Sequence, residues 1–335
     1  MKAQFRALLS APVWHGLSQA KRALIRSLVK TFVLRNQWIG RYFTAWELSH
    51  YGLSVARADD YYSPLPVLPT LQGNQQRWFK PSQLIGVHWD LEEMKTVLTS
   101  LLAKYGEEYN VLPSYEENRK KGYGQGFTPV DAMVLFLLVR EIHPRRYLEV
   151  GAGLSTYYSA LAGKRNMEAG KPVRITCIDP YAAEVLGAIE GAEILKQEVQ
   201  DVPFSVFEEL DAGDILFIDS THTVKLDGDV PFLLLEVLPR LNKGVIVHVH
   251  DIPFPYNVPY PPSTWIFERD WPVFWTEAML VQALLCETSA FRIRLSLPLL
   301  RYFDESFLRA RIPNYDGLQL GPYDTFSSLW LEKVK

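Results

Sequence analysis

The chain has 335 residues, which at roughly 150 residues per domain allows about two domains. Hydrophobic residues make up 48% and charged residues 22%, so a large core can form and disorder throughout the chain is excluded. No apolar run approaches the roughly 18 residues that a membrane span needs. Two cysteines cannot form a disulfide framework, and the first residues lack the order of a secretory signal, so we expect a cytoplasmic protein.

The net charge of −3 is the sum of two unlike parts. Residues 1–58 hold nine Lys and Arg and one acid, Glu47, so this region carries +8 and the remainder −11. Within this region, apolar residues recur at helical spacing over 17–35 and basic residues fall mostly on the other side. This pattern predicts a basic amphipathic helix. This helix either packs on the main domain or contacts an anionic inner membrane surface or acidic partner. Nucleic acid is disfavoured, since no nucleic-acid-binding module accompanies the charge.

The chain divides by pattern into a basic helical region, 1–58, a linker and helical segment, 59–110, and a main domain, 111–335. We expect one helix over 82–110 and a flexible polar segment over 116–126.

Before the main domain's first strand, residues 128–142 form a predicted helix with Thr128 as N-cap. Beyond residue 145, short apolar runs alternate with helical segments. The predicted strands are 147–150, 175–178, 194–195, 215–218, 245–249, 291–297 and 327–334. The predicted intervening helices are 155–162, 182–188, 206–210, 230–241 and 276–286. This alternation predicts an α/β fold with a doubly wound, mostly parallel, seven-stranded sheet.

A glycine turn follows the first strand, where residues 146–156 read RYLEVGAGLST. Such a turn lets a ligand approach the backbone and aims helix N–H groups at it. Thr156 stands where a dinucleotide fingerprint has its third glycine, which disfavours a dehydrogenase. Glu149 is unusual in a buried strand and is costly there without polar partners. Asp179 ends the second strand, where a carboxylate either binds a ribose diol or simply begins a turn.

Four segments occur in the order EVGAGLST, CIDP, DILFIDSTH and LNKGVIVHVHDI. Together they resemble the class I S-adenosylmethionine-dependent methyltransferases, and among these the bacterial small-molecule, sugar-type O-methyltransferases with an Asp/His metal-type site. The resemblance covers about 128–252 and implies a Rossmann-like methyltransferase fold, with 111–335 as the catalytic domain that binds S-adenosylmethionine. It also implies a set of cofactor-binding residues: Glu149, Gly151, Ala152, Gly153, Asp179, Gln200 and Asp201.

Acids and histidines end two predicted neighbouring strands, with Asp219 and His222 after the fourth and His250 and Asp251 after the fifth. All four can converge at one rim as a metal site or an acid–base site. In the resembling enzymes, acids at Asp219 and Asp251 bind a metal such as Mg²⁺, and a histidine at His222 takes the acceptor proton. Because His250 stands where those enzymes often have a carboxylate, we place it among the metal ligands and leave metal dependence open.

Other polar residues of this region receive structural roles. We expect His248 to be a core histidine with its hydrogen bonds satisfied, and Asp229 to cap the helix that begins at Val230.

Residues 252–276 contain six prolines and eight aromatics, and we call this segment the lid. It either covers the predicted site, where its rings would suit sugar or aromatic acceptors, or simply packs as a stiff loop. A second insertion, 298–326, is another place for acceptor specificity, and residues 120–126 could fold over the cofactor.

The leading hypothesis is an O-methyltransferase acting on a hydroxyl of a small molecule, sugar or glycolipid, with His222 as general base. One alternative is a metal-dependent hydrolase that uses Asp219, His222, His250 and Asp251, which would leave the glycine turn and Asp179 idle. Another is an inactive methyltransferase-like binding protein, although binding alone would not require the full set of glycines, acids and base.

Overall fold

The computed structural model describes residues 60–124, 126–318 and 326–335, together with positions 24, 27, 49, 50, 52 and 56. Leu24 and Ser27 are helical, and the rest of the predicted helix 17–35 lies outside the described residues. The chain forms two compact units, Met1–Asn74 and Gln75–Lys335. This boundary falls inside the predicted segment 59–110. No described helix is both long enough and apolar enough to cross a membrane.

A single seven-stranded sheet organises the larger unit, and it confirms the predicted fold class. The strands follow the order β3-β2-β1-β4-β5-β7-β6, with β7 antiparallel to both of its neighbours and the rest parallel. Their bounds are Arg146–Val150 (β1), Arg174–Ile178 (β2), Ala192–Leu195 (β3), Ile215–Ile218 (β4), Ile246–Val249 (β5), Phe291–Ser296 (β6) and Leu329–Lys333 (β7). The chain reverses direction across the sheet between β1 and β4, so a crevice opens at their carboxyl ends.

Ten α-helices occur within residues 60–124, 126–318 and 326–335. The first, Leu68–Gly73 (α1), belongs to the smaller unit. The larger unit contains Gln75–Trp78 (α2), Leu91–Asn110 (α3), Tyr115–Arg119 (α4), Pro129–Ile142 (α5), Leu154–Glu168 (α6), Phe204–Glu208 (α7), the composite helix α8, Glu277–Leu285 (α9) and Leu297–Arg311 (α10). The segments of α8 are Asp229–Pro231, Phe232–Val237 and Leu238–Arg240, the middle one being a π-helix.

Three helix predictions need correction. The helix expected from Ser82 begins only at Leu91, because Asp90 caps it by accepting a hydrogen bond from the Glu93 N–H at 2.9 Å. Part of the segment 116–126, which we expected to be flexible, is helical. Residues 116–119 belong to α4, and a capping box formed by Ser114 and Glu117 stabilises the start of that helix. The helix predicted over 182–188 is a short 3₁₀ turn, Glu184–Ala188.

Helix α5 forms the centre of the core beside the sheet. Its N-cap Thr128 accepts from the Asp131 N–H at 3.2 Å, as predicted, and it ends at His143, whose φ is +52°. Every residue from Pro129 to Arg140 is buried, since α3 and α6 cover the surfaces that the sheet leaves free. A helix that is apolar on all sides needs such complete cover.

Candidate active site

A sharp turn after β1 joins the strand to the first turn of α6. Gly151 has a φ of +84°, and a Cβ atom there would lie 2.1 Å from the carbonyl oxygen of Asp219. A side chain is therefore excluded both by backbone conformation and by the neighbouring strand end. The Gly153 N–H donates to Thr156 Oγ1 at 3.1 Å, so the threonine in place of a third glycine secures the turn.

Glu149 lies behind this turn and is completely buried. Ser155 Oγ donates to its Oε1 at 2.5 Å, and Cys177 Sγ lies 3.6 Å from its Oε2. Burial raises the pKa of Glu149 to about 8, although these hydrogen bonds oppose the shift. The carboxyl group thus holds the start of α6 against β1 and β2, which explains how a buried strand accommodates it.

A cleft of about 470 Å³ opens above the ends of β1, β2 and β4. Three predicted cofactor residues, Gly151, Asp179 and Gln200, line it. Four others do not: Glu149, Ala152, Gly153 and Asp201.

The Asp179 carboxylate accepts from two backbone N–H groups, those of Ala152 at 3.0 Å and Tyr181 at 2.8 Å. It is therefore fixed in place at the mouth of the cleft. Gln200 Nε2 donates to the carbonyl oxygen of Asp227 at 2.9 Å, which ties the 3₁₀ turn Val199–Asp201 to the opposite wall of the cleft.

The residues after β4 and β5 meet at the rim of the same cleft. His222 Nε2 lies 3.2 Å from Asp219 Oδ1 and 3.4 Å from Asp251 Oδ2. His222 and Asp251 have φ values of +57° and +54°, a left-handed conformation that is uncommon for residues other than glycine. Such strain often marks a functional site.

Glu277, at the start of α9, completes this cluster. His222 Nδ1 lies 2.8 Å from Glu277 Oε2, and both residues are buried. Burial lowers the pKa of His222, but hydrogen bonds to Asp219 and Glu277 reverse this effect and hold the pKa well above its ordinary value. The imidazole therefore has a carboxylate on each side.

Backbone contacts fix His222 independently of its ring. The N–H groups of Thr276 and Glu277 both donate to the His222 carbonyl oxygen, at 2.9 and 3.1 Å. Asp229, which we expected to cap α8, is the first residue of that helix, and Gly228 occupies the cap position. The Asp229 carboxylate still accepts from the Val230 N–H at 2.9 Å, and it also accepts from the N–H and the hydroxyl of Thr221, at 2.8 and 2.6 Å, which holds the loop after β4.

Asp251 is fixed from the other side of the rim. Ser327 Oγ, just before β7, donates to Asp251 Oδ1 at 2.6 Å. Beneath it, the buried carboxylate of Asp131 accepts from the Ser328 hydroxyl at 2.5 Å and from the Thr128 hydroxyl at 2.6 Å. The start of β7 and the first turn of α5 are thereby joined directly to the rim.

Three rim side chains can serve as metal ligands. One ligand atom each of Asp219, His222 and Asp251 lies within 4.8 Å of the other two. Two carboxylates and one imidazole are donors that Mg²⁺ or Mn²⁺ accepts, so the donor set fits a divalent cation.

His250, which we predicted as a ligand, is not in this group. Its Nε2 lies 3.4 Å from the carbonyl oxygen of Gly126 and 3.8 Å from Asp251 Oδ1. The grouped donors therefore include His222 rather than His250. The His250 ring packs against Phe127, with the ring centres 5.0 Å apart.

His248 is buried but is not hydrogen-bonded as expected. Neither ring nitrogen has a hydrogen-bond partner among the described residues. Its ring stacks on Phe217 at 4.0 Å and lies 4.6 Å from Trp330. Burial, together with the nearby His250, lowers its pKa well below the ordinary value, so this histidine is a neutral core residue.

The lid contacts the cluster through its last aromatic residue. The Trp275 ring lies 4.8 Å from that of His222 and 4.7 Å from that of Trp265. On the other side of the turn, the carbonyl oxygen of Tyr123 would lie 3.4 Å from a Cβ at Gly153. Tyr123 and Gly124, from the predicted segment 120–126, thus lie beside the glycine turn.

Sequence reasoning missed Glu277 and Ser327. Glu277 carried one usable signal, since it is the single charged residue of the mostly apolar helix EAMLVQALL. Ser327 carried none, because serines are common before strands.

Comparison with known proteins adds one family match. Residues 148–252 match a family model described as a methyltransferase domain. An uncharacterized protein from Archaeoglobus fulgidus is 26% identical over 165 residues, which cover 46% of this chain and 73% of that protein.

Solved structures with a similar fold include two O-methyltransferases. One is TomG from Streptomyces achromogenes, which is involved in tomaymycin synthesis and was solved in complex with SAM. It is 14% identical to this chain with a TM-score of 0.42, and the match covers 74% of this chain and all of TomG. The other is an O-methyltransferase from Bacillus cereus solved with SAH, at 13% identity and a TM-score of 0.39, covering 73% and 100%.

The family match spans the glycine turn, Asp179 and the whole rim from Asp219 to Asp251. Those residues lie on the seven-stranded sheet that the motifs predicted. Residues 148–252 therefore form a methyltransferase domain, and the seven-stranded sheet that carries them has the Rossmann-like arrangement that the motifs predicted.

Proposed function

We propose that this methyltransferase acts on a hydroxyl group, that of a small molecule, a sugar or a glycolipid. The observation that carries the proposal is the position of His222 between the Glu277 and Asp219 carboxylates. Because Asp219 also lines the cleft beside the glycine turn, a base and a cofactor site share one wall. An alcohol is a very weak acid, so its methylation needs exactly such a neighbouring base.

The cleft is the proposed site of S-adenosylmethionine. Its sulfonium supplies the methyl group when the cofactor is bound. Gly151 lets the cofactor approach the backbone, while Asp179 at the mouth receives the ribose hydroxyls and Gln200 lies near the adenine.

In its neutral form, His222 takes the hydroxyl proton on Nε2 as the oxygen attacks the methyl carbon. A C–O bond forms, the C–S bond breaks, and the proton passes from the acceptor to the imidazole. Glu277 accepts the Nδ1–H bond and stabilises the resulting positive charge. Trp275 covers the imidazole and limits access of water to it.

A divalent cation fits beside this base. Asp219 and Asp251 would hold it, together with His222 if the imidazole serves as a ligand rather than as the base. Such an ion would lower the pKa of the acceptor hydroxyl.

The positive charge of region 1–58 supports a further part of the proposal. The enzyme is cytoplasmic and binds peripherally to the inner membrane surface through this region. Co-sedimentation of the full chain with anionic liposomes, compared with a form lacking residues 1–58, tests this part. Equal pelleting of both forms would remove it.

Titration calorimetry with S-adenosylmethionine tests the central proposal. We expect the wild type to bind, Asp179→Ala to bind about tenfold more weakly, and His222→Gln to bind normally. Release of S-adenosylhomocysteine should then require a hydroxyl acceptor and should fail in His222→Gln. Absence of binding at millimolar cofactor, or full activity of His222→Gln, would overturn the proposal.

A further inference from the structure

A second concave surface lies beside the rim, between the lid and α10. This groove has a volume of about 320 Å³ and is lined on the lid side by Tyr256 and Tyr260 and on the helix side by Tyr302. The rings of Tyr256 and Tyr260 are 5.2 Å apart, and that of Tyr302 meets Tyr256 edge-on at 6.1 Å. Phe326 completes an aromatic enclosure.

Hydrogen-bonding groups interrupt these aromatic walls. Arg301 and Glu305 both line the groove, and Arg301 Nε lies 3.5 Å from Glu305 Oε1. The Tyr315 hydroxyl donates to the same carboxylate oxygen at 3.1 Å, while the Arg301 guanidinium lies 5.2 Å from the Phe326 ring. A donor and an acceptor are therefore held side by side at the edge of flat apolar surfaces.

The groove continues into a small cavity next to Asp251. This cavity of about 30 Å³ is also lined by Trp265, Trp275 and Ser327. Pro253 and Tyr260 line both spaces, so the two adjoin. The smaller space has about a tenth of the groove's volume, so it suits a single hydroxyl group rather than a ring.

We propose that the groove binds a sugar ring of the methyl acceptor and that the small cavity receives the hydroxyl to be methylated. This proposal rests on the O-methyltransferase function proposed above. A pyranose has apolar C–H faces that stack on tyrosine rings and ring hydroxyls that can pair with Arg301 and Glu305. A plain aromatic acceptor would stack equally well but has no ring hydroxyls to engage that polar pair.

Ligand-detected NMR on the full chain, loaded with S-adenosylhomocysteine, tests the proposal. The probes are the methyl glycosides of glucose, galactose and mannose, with phenol as the aromatic comparison. We expect saturation transfer from the wild type to at least one glycoside. Affinity for that glycoside should fall about tenfold in Tyr302→Ala and change little in Tyr302→Phe, which retains the ring.

Phe303→Ala is the matched control. Phe303 and Tyr302 are adjacent and similarly exposed, at 47% and 46%, but Phe303 stacks on Trp89 rather than lining the groove. Glycoside binding should survive Phe303→Ala. Binding of phenol alone, or equal glycoside binding by Tyr302→Ala and the wild type, would overturn the proposal.

Calorimetry with S-adenosylhomocysteine on the same samples separates the sugar-site proposal from the O-methyltransferase proposal on which it rests. If the cofactor product binds but no glycoside does, the sugar site is refuted and the O-methyltransferase proposal stands. If S-adenosylhomocysteine does not bind the wild type, both proposals fail.

Discussion

His222 Nδ1 and Glu277 Oε2 lie 2.8 Å apart although the two residues are 55 positions apart in sequence. The carboxylate accepts from Nδ1–H and thereby directs Nε2 towards Asp219 and Asp251. A carboxylate behind a histidine commonly fixes the tautomer and the ring orientation of a base or metal ligand. The orientation of the proposed base thus depends on a residue outside every recognised motif.

Removal of Glu277 should destabilise the fold. Glu277→Ala leaves the buried Nδ1 of His222 without its partner, and we expect the free energy of unfolding to fall by about 3 kcal/mol. Glu277→Gln keeps an acceptor oxygen and should cost less. Urea denaturation measures both.

Glu236→Ala provides the control for that series. Glu236 is exposed and pairs with Arg240 at 2.9 Å on α8, so its loss should change stability by less than about 0.5 kcal/mol. If Glu277→Ala and Glu236→Ala proved equally stable, the contact between Glu277 and His222 would have no structural weight.

Metal binding should distinguish the grouped donors from His250. We expect Asp219→Asn and Asp251→Asn each to weaken Mn²⁺ binding at least about tenfold, since each loses a charged oxygen ligand. His250→Gln should leave it nearly unchanged. Free Mn²⁺ measured by electron paramagnetic resonance in a titration gives these affinities, and an equally large effect of His250→Gln would contradict the assignment.

The glycine turn should tolerate no side chain at position 151. Gly151→Ala forces an alanine into a left-handed backbone conformation and places its Cβ against the Asp219 carbonyl oxygen. We therefore expect cofactor binding to be lost. Gly213→Ala is a matched control, because Gly213 has nearly the same φ, +85°, but open space around it. It should cost only about 1–2 kcal/mol of stability. Calorimetry and urea denaturation of both variants test this, and cofactor binding by Gly151→Ala would show the turn to be more adaptable.

Glu149 should make stability depend on pH. Its pKa of about 8 in the folded protein exceeds the ordinary value of 4.5, so the folded state retains a proton that the unfolded chain releases. Stability should therefore fall as pH rises from about 4.5 to 8, with a slope of up to about 1.4 kcal/mol per pH unit from this group.

Glu149→Gln removes that contribution while keeping the shape of the side chain. The free energy of unfolding of the variant, relative to the wild type, should therefore increase with each pH unit between 5.5 and 7.5. Urea denaturation at three pH values measures it. A constant difference between the two proteins would show that Glu149 has an ordinary pKa.

Much of this arrangement could be predicted from local pattern. Strand β4 has the predicted bounds, 215–218, because a short apolar run between turn signals is typical of a buried strand. Asp219 and Asp251 were expected at one rim because adjacent parallel strands end at the same edge of a sheet. The structure places them there, each within 3.4 Å of His222.

His250 was predicted among the metal ligands but is not one of the three grouped donors. Alternate residues along a strand point to the same face, so His250 continues the direction of His248, and their rings stack 5.5 Å apart. Asp251 reaches the rim because its left-handed backbone turns the chain away from the strand. Strand alternation could have shown the direction of the His250 side chain, but a positive φ at an aspartate has no clear sequence signal.

The sequence by itself determined the sheet, the glycine turn and the acids at the strand ends, because these follow from periodicity and from the topology of parallel strands. The tertiary structure alone decided that Glu277 supports His222 and that Ser327 supports Asp251. Those contacts join residues 55 and 76 positions apart. They depend on the paths of long connections, where no repeating pattern constrains which side chains meet.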